Sequence, residues 1–234
     1  VKVVCDKNDY AIYFSRSVIP YPRKNGNISY FKHIGIYGYK RDFVIEYSKM
    51  LATPLEETES LEQLRVLENG YIKSRYLDDK LCVAQILGYI KYLKDNKLKP
   101  KTDLYVYFSN YEEIGHGVSV FPEDLDEFIA VDIGLVAGED AHGDEKKMQI
   151  IAKDSRSPYD FTLRKKLQET ADKNNIEYTV GVYNRYGSDA TTAILQGFDF
   201  KYACIGPNVD ATHHYERCHN DGIIKTVKLL IAYL

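Results

Sequence analysis

Acidic and imidazole side chains recur in four short segments of the C-terminal two-thirds of the chain. The segments are Leu77–Lys80, Glu112–Gly115, Val131–Gly134 and Thr212–Arg217. Carboxylates and imidazoles are ligands of divalent cations such as zinc, and a further carboxylate can take a proton from water. Together the segments could surround two divalent cations and one activated water, which is the chemistry of metal-dependent hydrolysis.

The adjacent acids Glu112 and Glu113 follow an apolar run. Neighbouring strand residues point to opposite faces, so both acids can serve one site only if the chain turns there. Ile114-Gly115 supplies such a turn. One acid could then bind a metal while the other deprotonates a water. The alternative is a solvated acidic loop, which is the commoner fate of an isolated pair of glutamates.

The remaining candidates also have structural alternatives. Asp78 and Asp79 precede an apolar helical pattern, so either could simply cap a helix. Asp132 ends an apolar run, where an unpaired charge would be costly to bury. A lone histidine is usually structural, but His213 and His214 lie together in one loop. These residues indicate a site only in combination.

The elements that must position these residues alternate between strand and helix. We expect strands at 104–108, 128–133, 148–152, 178–182 and 201–205, and helices at 160–174, 189–196 and 222–234. A long helix opens at Asp78, and 3.6-residue spacing predicts that Val83, Ile86, Leu87, Ile90 and Leu93 form its buried face. The order indicates an α/β fold with a mixed, largely parallel sheet flanked by helices, whose functional groups gather at strand C-termini.

The first 69 residues have a different character. We expect strands at 1–4 and 11–14 joined by a turn at 6–9, a loop at 20–27 and a β-rich run at 33–39. Helices are expected at 42–50 and 55–67, with Asn69-Gly70 as the stop. This region indicates a separate α/β fragment.

Composition narrows the function classes. The 234 residues are 44% hydrophobic and 28% charged with a net charge of −3, which favours a globular chain without a general attraction to nucleic acid or membrane. The charged N-terminal segment does not resemble a signal peptide. Four widely spaced cysteines suggest neither a zinc knuckle nor a disulfide scaffold, so the reducing cytoplasm fits best.

From about Gly70 onward, the chain resembles the cobalt/zinc di-metal aminopeptidases of the glutamyl and deblocking type. The matching segments are Lys73–Lys80, Ser109–Gly115, Ala130–Gly134, Lys153–Ser155, Tyr186–Ala190 and Asp210–Arg217. The resemblance implies hydrolysis of the N-terminal residues of peptides through a metal-activated water, with zinc or cobalt bound. A peptide is the implied substrate, and a homo-oligomer is a possible assembly.

The same resemblance assigns roles residue by residue. Asp78 would bridge two metals, and Asp79 would orient the site through an unusual peptide geometry. Glu112 would be the general base. The further ligands would be Glu113 and His213 for one metal and Asp132 for the other. Tyr186–Asp189 resembles a substrate-side loop but equally reads as a helix start.

The chain departs from this family in one ligand. The family places a histidine in a His-x-Asp pair upstream of the Asp-Asp motif. Here the histidine that precedes Asp78 is His33, and Gly35 rather than an acid lies two residues later. We therefore expect one metal position to lack a ligand, and at most one tightly held ion per chain. The family's inserted oligomerisation domain also has no counterpart in the sequence.

Residues 1–69 resemble the C-terminal part of 3-deoxy-manno-octulosonate cytidylyltransferases, which activate an acidic sugar with CTP for lipopolysaccharide. The matching segments are Ala11–Pro20, His33–Tyr39 and Glu59–Arg65. The implied sugar contacts are Arg16, His33, Tyr37, Glu62 and Gln63. An arginine can grip a carboxylate with two hydrogen bonds, and an even offset puts His33 and Tyr37 on one strand face. Without the resemblance, a surface arginine, a core histidine and a solvated helix face would be preferred.

The two resemblances meet near Asn69-Gly70. We expect a cytidylyltransferase-like fragment at 1–69 and an aminopeptidase-like catalytic fragment at 70–234. The nucleotide-gripping segment of the transferases precedes the part found here, which favours a chimera or a splice of two fragments. Metal-dependent aminopeptidase is the leading function. The alternatives are the CTP-dependent transferase, with magnesium as its cofactor, and an inactive chimera that only binds.

Overall fold

The computed structural model describes residues 1–5, 7, 11–23, 29–39, 41–138 and 141–234, without the side chain of Asp42. Most of the predicted turn at 6–9 and the second half of the loop predicted at 20–27 lie outside the described residues. The chain forms two compact units, Val1–Tyr71 and Ile72–Leu234.

The first unit contains a small antiparallel sheet. Its strands are β1 (Lys2–Cys5), β2 (Ala11–Ser15) and β3 (Phe31–Lys32), in the order β2-β1-β3. The expected β-rich run at 33–39 is wrong, because the strand ends at Lys32. Ile34 and Ile36 are 73% and 83% exposed, so these apolar side chains have no buried face to join.

Three short helices complete the first unit: α1 (Arg41–Tyr47), α2 (Pro54–Glu59) and α3 (Leu64–Glu68). The single helix expected at 55–67 is wrong. Ser60 adopts a left-handed conformation with φ 50°, which ends α2. Within the gap, Leu61 turns its side chain into the core of the unit. Because the apolar periodicity of the sequence continues through this break, the sequence does not signal the end of α2.

The second unit contains two sheets. A two-stranded sheet consists of β4 (Tyr71–Arg75) and β10 (Tyr215–His219). A five-stranded mixed sheet consists of β5 (Glu127–Val131), β6 (Gly134–Leu135), β7 (Met148–Lys153), β8 (Tyr178–Val182) and β9 (Lys201–Val209). The central order is β5-β9-β7-β8, and β4 pairs with β10. Strands β5 and β9 are parallel, as are β7 and β8, whereas β7 and β9 run antiparallel. The predicted mixed, largely parallel α/β fold is confirmed.

Helices cover both faces of this sheet. They are α4 (Leu77–Asp95), α5 (Phe161–Lys173), α6 (Asp189–Leu195) and α7 (Asn220–Tyr233). Helices α5 and α7 pack Leu163 and Leu229 against Ile150 and Ile205 of the sheet. On the opposite face, α6 packs Ala190 against the sheet. Among the residues that the structure describes, none of the helices combines the length and apolar character needed to cross a membrane.

The predicted buried face of α4 is wrong for Val83, Leu87 and Ile90, which are exposed. Ile86 is half-buried, and Leu93 packs against the core as predicted. The buried side chains of the helix are Leu77, Leu81, Cys82, Gln85 and Tyr89. Both sets have helical spacing, so periodicity alone could not choose between them. The sheet contacts the face that begins at Leu81, next to the acids.

The predicted buried strand at 104–108 is also wrong. Residues 103–109 have no regular secondary structure, and Tyr105 and Tyr107 are 56% and 51% exposed. The apolar run has the composition of a strand, but no other strand among the described residues pairs with it.

Candidate metal centre

Asp78, Glu113 and His213 converge on one point of the second unit. The Nε2 atom of His213 lies 3.1 Å from Oε2 of Glu113 and 3.4 Å from Oδ2 of Asp78. One potential ligand atom from each residue lies within 4.8 Å of the others. Two carboxylates and one imidazole form a ligand set typical of zinc, with a position left open.

Local backbone geometry aims these side chains. Asp78 and Asp79 are non-helical residues at the start of α4, and the peptide bond between them is cis. Glu112–Ile114 forms one turn of 3₁₀ helix that Gly115 ends with φ 74°, so the two glutamates are carried by a turn, as expected. His213 has φ 62°, a left-handed conformation that occurs at functional sites.

A second group consists of Asp78, Asp79 and Asp132, again with ligand atoms within 4.8 Å of one another. Asp132 follows β5, and its Oδ1 accepts a hydrogen bond from the N–H of Ile133 at 2.6 Å. Gly206 of β9 lies so close that a Cβ there would be 1.7 Å from the carbonyl oxygen of Asp132. Only glycine allows the two backbones to approach in this way.

The acids repel one another in a poorly solvated space. Burial, followed by the charge of Asp78, raises the pKa of Asp79 to about 8. Burial, followed by the charge of Asp189, raises the pKa of Glu112 to about 7. Burial also raises the pKa of Glu113 and that of Asp132, the latter strongly. The protein groups alone therefore do not neutralise this cluster.

These features fit a bound cation. The Oδ1 atom of Asp79 is buried without a hydrogen-bond partner, and buried polar atoms normally have one. Divalent ions supply the positive charge that the raised carboxyl pKa values call for. The residues present are therefore suited to at least one divalent metal.

Glu216 ties the two halves of the ligand set together, and sequence reasoning gave it no role. Its carboxylate is 1% exposed. One oxygen accepts hydrogen bonds from the backbone N–H groups of Leu77 and Asp78, and the other accepts one from His213 at 3.1 Å. Only its place in the segment Thr212–Arg217 could have drawn attention to it.

A buried polar network fixes the start of α6, where Asp189 lies. Asp154 is fully buried and accepts hydrogen bonds from Tyr159 at 3.2 Å and Thr191 at 2.6 Å. Tyr159 in turn bonds Ser188 at 2.7 Å, and Ser188 caps the helix. The Lys153–Ser155 and Tyr186–Ala190 segments therefore meet in the fold, and the helix-start interpretation of Ser188-Asp189 is confirmed.

Two fully buried thiols lie behind the acids. Cys82 donates a hydrogen bond to Asp79, and burial raises its pKa well above the usual range. Cys204 of β9 is affected in the same way. All four cysteines of the chain are free, and Cys5 in the first unit is only partly buried.

A cavity of about 280 Å³ opens beside the candidate metal residues. Its lining comes from residues 128–132, from the segment 107–110 and from the first part of α4, including Val83 and Ile86. The carboxylates that line it belong to Asp79, Glu112, Glu113, Asp132 and Asp189.

The candidate sugar residues of the first unit are less open to a ligand. The guanidinium of Arg16 donates to the backbone carbonyls of Glu59 at 2.6 Å and Ser60 at 3.1 Å. Tyr37 and His33 hydrogen-bond each other at 2.6 Å, although their segment is not a strand. Glu62 lies near enough to Tyr37 for its charge to help raise the pKa of that phenol.

Gln63 is the exception among these residues. It is 6% exposed, and neither its amide oxygen nor its amide nitrogen has a hydrogen-bond partner among the described residues. The structure therefore brings His33, Tyr37 and Glu62 near one another. It does not leave the arginine free.

Comparison with known proteins separates the two parts of the chain. The sequence profile of a family described as cytidylyltransferase matches residues 1–80. The 3-deoxy-manno-octulosonate cytidylyltransferase of Fusobacterium nucleatum subsp. nucleatum is 73% identical over 108 residues, which cover 42% of this chain and 42% of that enzyme.

The larger part matches peptidases. YhfE of Bacillus subtilis (strain 168), which is named as an aminopeptidase, is 39% identical over 173 residues, or 74% of this chain and 50% of YhfE. A solved structure of the Pyrococcus horikoshii TET1 peptidase superposes with a TM-score of 0.57 at 26% identity, covering 71% of this chain and 51% of that one.

The chain thus spans about half the length of these relatives or less. The profile described as M42 glutamyl aminopeptidase matches residues 55–229, which is most of the chain. The order of the acids in the sequence and their convergence in the fold agree with that match. The chain belongs to the M42 glutamyl aminopeptidase family.

Proposed function

We propose that the chain is a metal-dependent aminopeptidase that removes N-terminal residues from peptides. M42 peptidases are divalent-metal enzymes. The observation that carries the proposal is the convergence of Asp78, Glu113 and His213, whose potential ligand atoms lie within 4.8 Å of one another. The neighbouring Glu112 is not part of this ligand set and is available as a base.

In this proposal Asp78, Glu113 and His213 hold zinc or cobalt. When bound, the ion supplies Lewis-acid chemistry that polarises a carbonyl and favours ionisation of water. Glu112 accepts the proton from the attacking water on a carboxylate oxygen. Its pKa of about 7 suits it to take up and release a proton near neutral pH. Asp79 keeps Asp78 at the required position at the start of α4.

The second metal position is weaker. Asp132 joins Asp78 and Asp79 there, and all three ligands are carboxylates. Imidazole is the better ligand for zinc and cobalt, and the family's upstream histidine is not found before Asp78. We expect at most one tightly held ion per chain. Elemental analysis after dialysis measures this directly, and two firmly bound ions per chain would contradict it.

The test of the activity uses aminoacyl-p-nitroanilides with zinc or cobalt. Glu112→Gln should retain the metal and lose hydrolysis by about a hundredfold or more, because an amide cannot accept the proton. Glu123→Gln, at an exposed position, is the matched control and should keep full activity. The proposal fails if the unaltered chain is inactive with metal bound, or if both variants hydrolyse equally well.

A second candidate function rests on the first unit. The 73% identity to a cytidylyltransferase favours binding of the acidic octulosonate sugar at Arg16, His33, Tyr37, Glu62 and Gln63, with magnesium if CTP were used. The boundary we propose puts this fragment at 1–69 and the peptidase fragment at 70–234. The transferase is the weaker proposal, since the guanidinium of Arg16 already binds backbone carbonyls.

Assembly and location complete the proposal. The TET1 peptidase of Pyrococcus horikoshii can assemble into a tetrahedron or a large octahedral shell. We propose that this chain also forms homo-oligomers and acts on peptides in the cytoplasm. Sedimentation of the purified chain tests the first point.

A further inference from the structure

Arg217 of β10 binds two carboxylates in the interior of the second unit. Its guanidinium donates to both oxygens of Glu145, with Nε 2.8 Å from Oε1 and Nη2 2.7 Å from Oε2. Nη2 also lies 3.6 Å from Oδ2 of Asp210. The three side chains are between 7% and 15% exposed, and we call them the ion triad. Two parallel hydrogen bonds from one guanidinium fix the geometry of the pair as well as stabilising it.

The ion triad lies at the base of the loop that carries His213. Asp210 and Arg217 exchange backbone hydrogen bonds at 2.8 and 3.1 Å, so the residues between them form a closed loop from β9 to β10. Within this loop Ala211 and His213 have φ 60° and 62°. A left-handed conformation costs free energy in residues other than glycine and persists only where the surroundings hold it. The loop therefore depends on contacts with the rest of the unit.

Glu145 belongs to a segment that is anchored at two places. The side-chain nitrogen of Asn208, a fully buried residue of β9, donates to the carbonyls of Asp144 and Lys147 at 3.0 and 2.9 Å. On α7, a Cβ at Gly222 would lie 2.7 Å from the carbonyl oxygen of Glu145, so the helix and the segment are in direct contact. Glu145 is thus held to the sheet and to α7, and it is a fixed point to which the loop can attach.

Arg217 and its neighbour Glu216 hold the loop from opposite sides. Adjacent residues of a strand point to opposite faces. Glu216 accepts hydrogen bonds from the N–H groups of His213 at 3.1 Å and Asp78 at 3.2 Å, on the side of the metal residues. Arg217 extends away from that side to Glu145. Loss of the bonds to Glu145 should therefore allow the loop to shift relative to Asp78.

We propose that Glu145 and Arg217 are positioning residues for the metal centre, because their ion pair fixes the loop in which His213 can bind the ion. The proposal deepens the aminopeptidase function and rests on it for the identity of the ion. The alternative is that the pair contributes only to folding stability. The two interpretations differ in one respect, since a positioning residue changes metal affinity through His213 and a stabilising residue does not.

The test measures zinc affinity by competition with a chromophoric chelator, using variants that circular dichroism shows to be folded. Glu145→Gln retains one acceptor but loses the charge and the parallel bonds. It should weaken zinc binding about tenfold, the lower end of the range for groups behind a metal ligand. Arg217→Lys should have a similar effect, because an ammonium group cannot donate to both oxygens in the same geometry.

A second arginine–glutamate pair in the chain provides the matched control. In the first unit, the guanidinium of Arg65 donates to both oxygens of Glu56, and the two side chains are 19% and 11% exposed. Glu56→Gln removes a pair of the same kind in the unit that does not carry the loop. Zinc affinity should therefore be unchanged in this variant.

A double-mutant cycle shows whether the effect passes through the histidine. In a chain that already carries His213→Ala, adding Glu145→Gln should change zinc affinity by less than about twofold, because the ligand that the pair positions is gone. The cobalt-loaded chain provides a spectroscopic check. The visible absorption bands of bound cobalt in Glu145→Gln should shift toward those of His213→Ala, whereas the bands of Glu56→Gln should match those of the unaltered chain.

The outcomes separate this proposal from the proposed activity. Peptide hydrolysis together with unchanged zinc affinity in Glu145→Gln would overturn the positioning role and leave the aminopeptidase intact. A loss of affinity that requires His213, in a chain that hydrolyses no peptide, would support the positioning role and remove the activity. Equal losses with and without His213, or failure of both Glu145→Gln and Arg217→Lys to fold, would make the pair a stabilising element only and overturn the proposal. Absence of zinc binding by the unaltered chain would overturn both.

Discussion

The first unit contains an arginine that could bind an acidic sugar, and the second contains acids that could bind a metal. The two groups differ in whether other residues of the chain already bind their charged side chains. The guanidinium of Arg16 is already bound to the carbonyls of Glu59 and Ser60. In the second unit, Asp79 keeps a buried oxygen without a partner, and burial raises its pKa to about 8. One group is satisfied by the chain itself, whereas the other needs an ion.

The difference shows that identity to a relative and readiness to bind are separate properties. The first unit has the higher identity, 73%, over its matched segment. The second matches at 39%, yet it brings side chains from three distant segments together. A site formed by residues distant in sequence requires the fold to be in place, so its convergence is stronger support for function than local similarity.

The largest expected effect removes the ligand that both metal groups share. Asp78→Asn should weaken zinc binding by about a hundredfold or more, because the charged ligand is lost and its neighbours keep their repulsion. Competition with a chromophoric chelator measures the affinity. Asp124→Asn, at an exposed position, is the control. Equal zinc affinity in the two variants would show that Asp78 is not a metal ligand, and the second unit would then be no better suited to its ligand than the first.

A smaller effect is expected from the carboxylate that positions the ligands. Glu216→Gln should weaken zinc binding about 10- to 100-fold, the usual range for groups behind a metal ligand. The amide can no longer accept hydrogen bonds from both the start of α4 and His213. Glu123→Gln serves as the control. An unchanged affinity with altered stability would make Glu216 a purely structural residue.

The pH dependence of stability provides a third test. The pKa values of Asp79 and Glu112 are raised to about 8 and about 7, so the folded state binds protons more tightly than the unfolded state. This contribution is fully present at low pH and is lost as pH rises through 7 to 8. In chelator, Tm should therefore rise by about 5 °C or more between pH 8 and pH 5.5. Zinc at pH 8 should restore it.

Asp79→Asn removes an acid whose pKa is raised to about 8 and should flatten this profile, while Asp124→Asn should not. A metal-free Tm that falls steadily as pH is lowered from 8 would show that the cluster is already neutralised within the protein.

The smallest effect is expected in the first unit. The octulosonate should shift the thermal transition by less than about 1 °C, which corresponds to well under 1 kcal/mol. No pyrophosphate should be released with CTP and the octulosonate, because the guanidinium of Arg16 already donates to the carbonyls of Glu59 and Ser60. Arg16→Ala should leave both results unchanged. Pyrophosphate release that depends on both CTP and the octulosonate would make the transferase, not the aminopeptidase, the better supported function.

Sequence reasoning predicted the second unit better than the first. Strand β8 (Tyr178–Val182), and helix α5 within one residue at each end, were predicted from the apolar patterns of their residues. In the structure Asp160 also caps α5 by accepting a hydrogen bond from the N–H of Leu163. The ligand set Asp78, Glu113 and His213 was predicted through resemblance, and the structure brings the three together. Their roles in catalysis stay predictions.

The misses share one physical cause. Apolar residues of α4 and of the segment 104–108 have the patterns of buried elements, but whether such a face is covered depends on elements distant in sequence. Glu216 was missed for a related reason, since a carboxylate that binds backbone N–H groups leaves no periodic signal. The break at Ser60 depends on a single left-handed residue.

The reactivity of the thiols behind the acids measures how often the surrounding structure opens by local unfolding. Cys82 and Cys204 are fully buried and protonated, so alkylating reagents reach them only when the layer that carries Asp79 and Asp132 separates. Cys5, which is partly buried in the first unit, reacts without that event. The modification rates of individual cysteines, read by mass spectrometry, therefore report how often each unit opens. Divalent ions that bind the acids should slow the reaction at Cys82 and leave Cys5 unchanged.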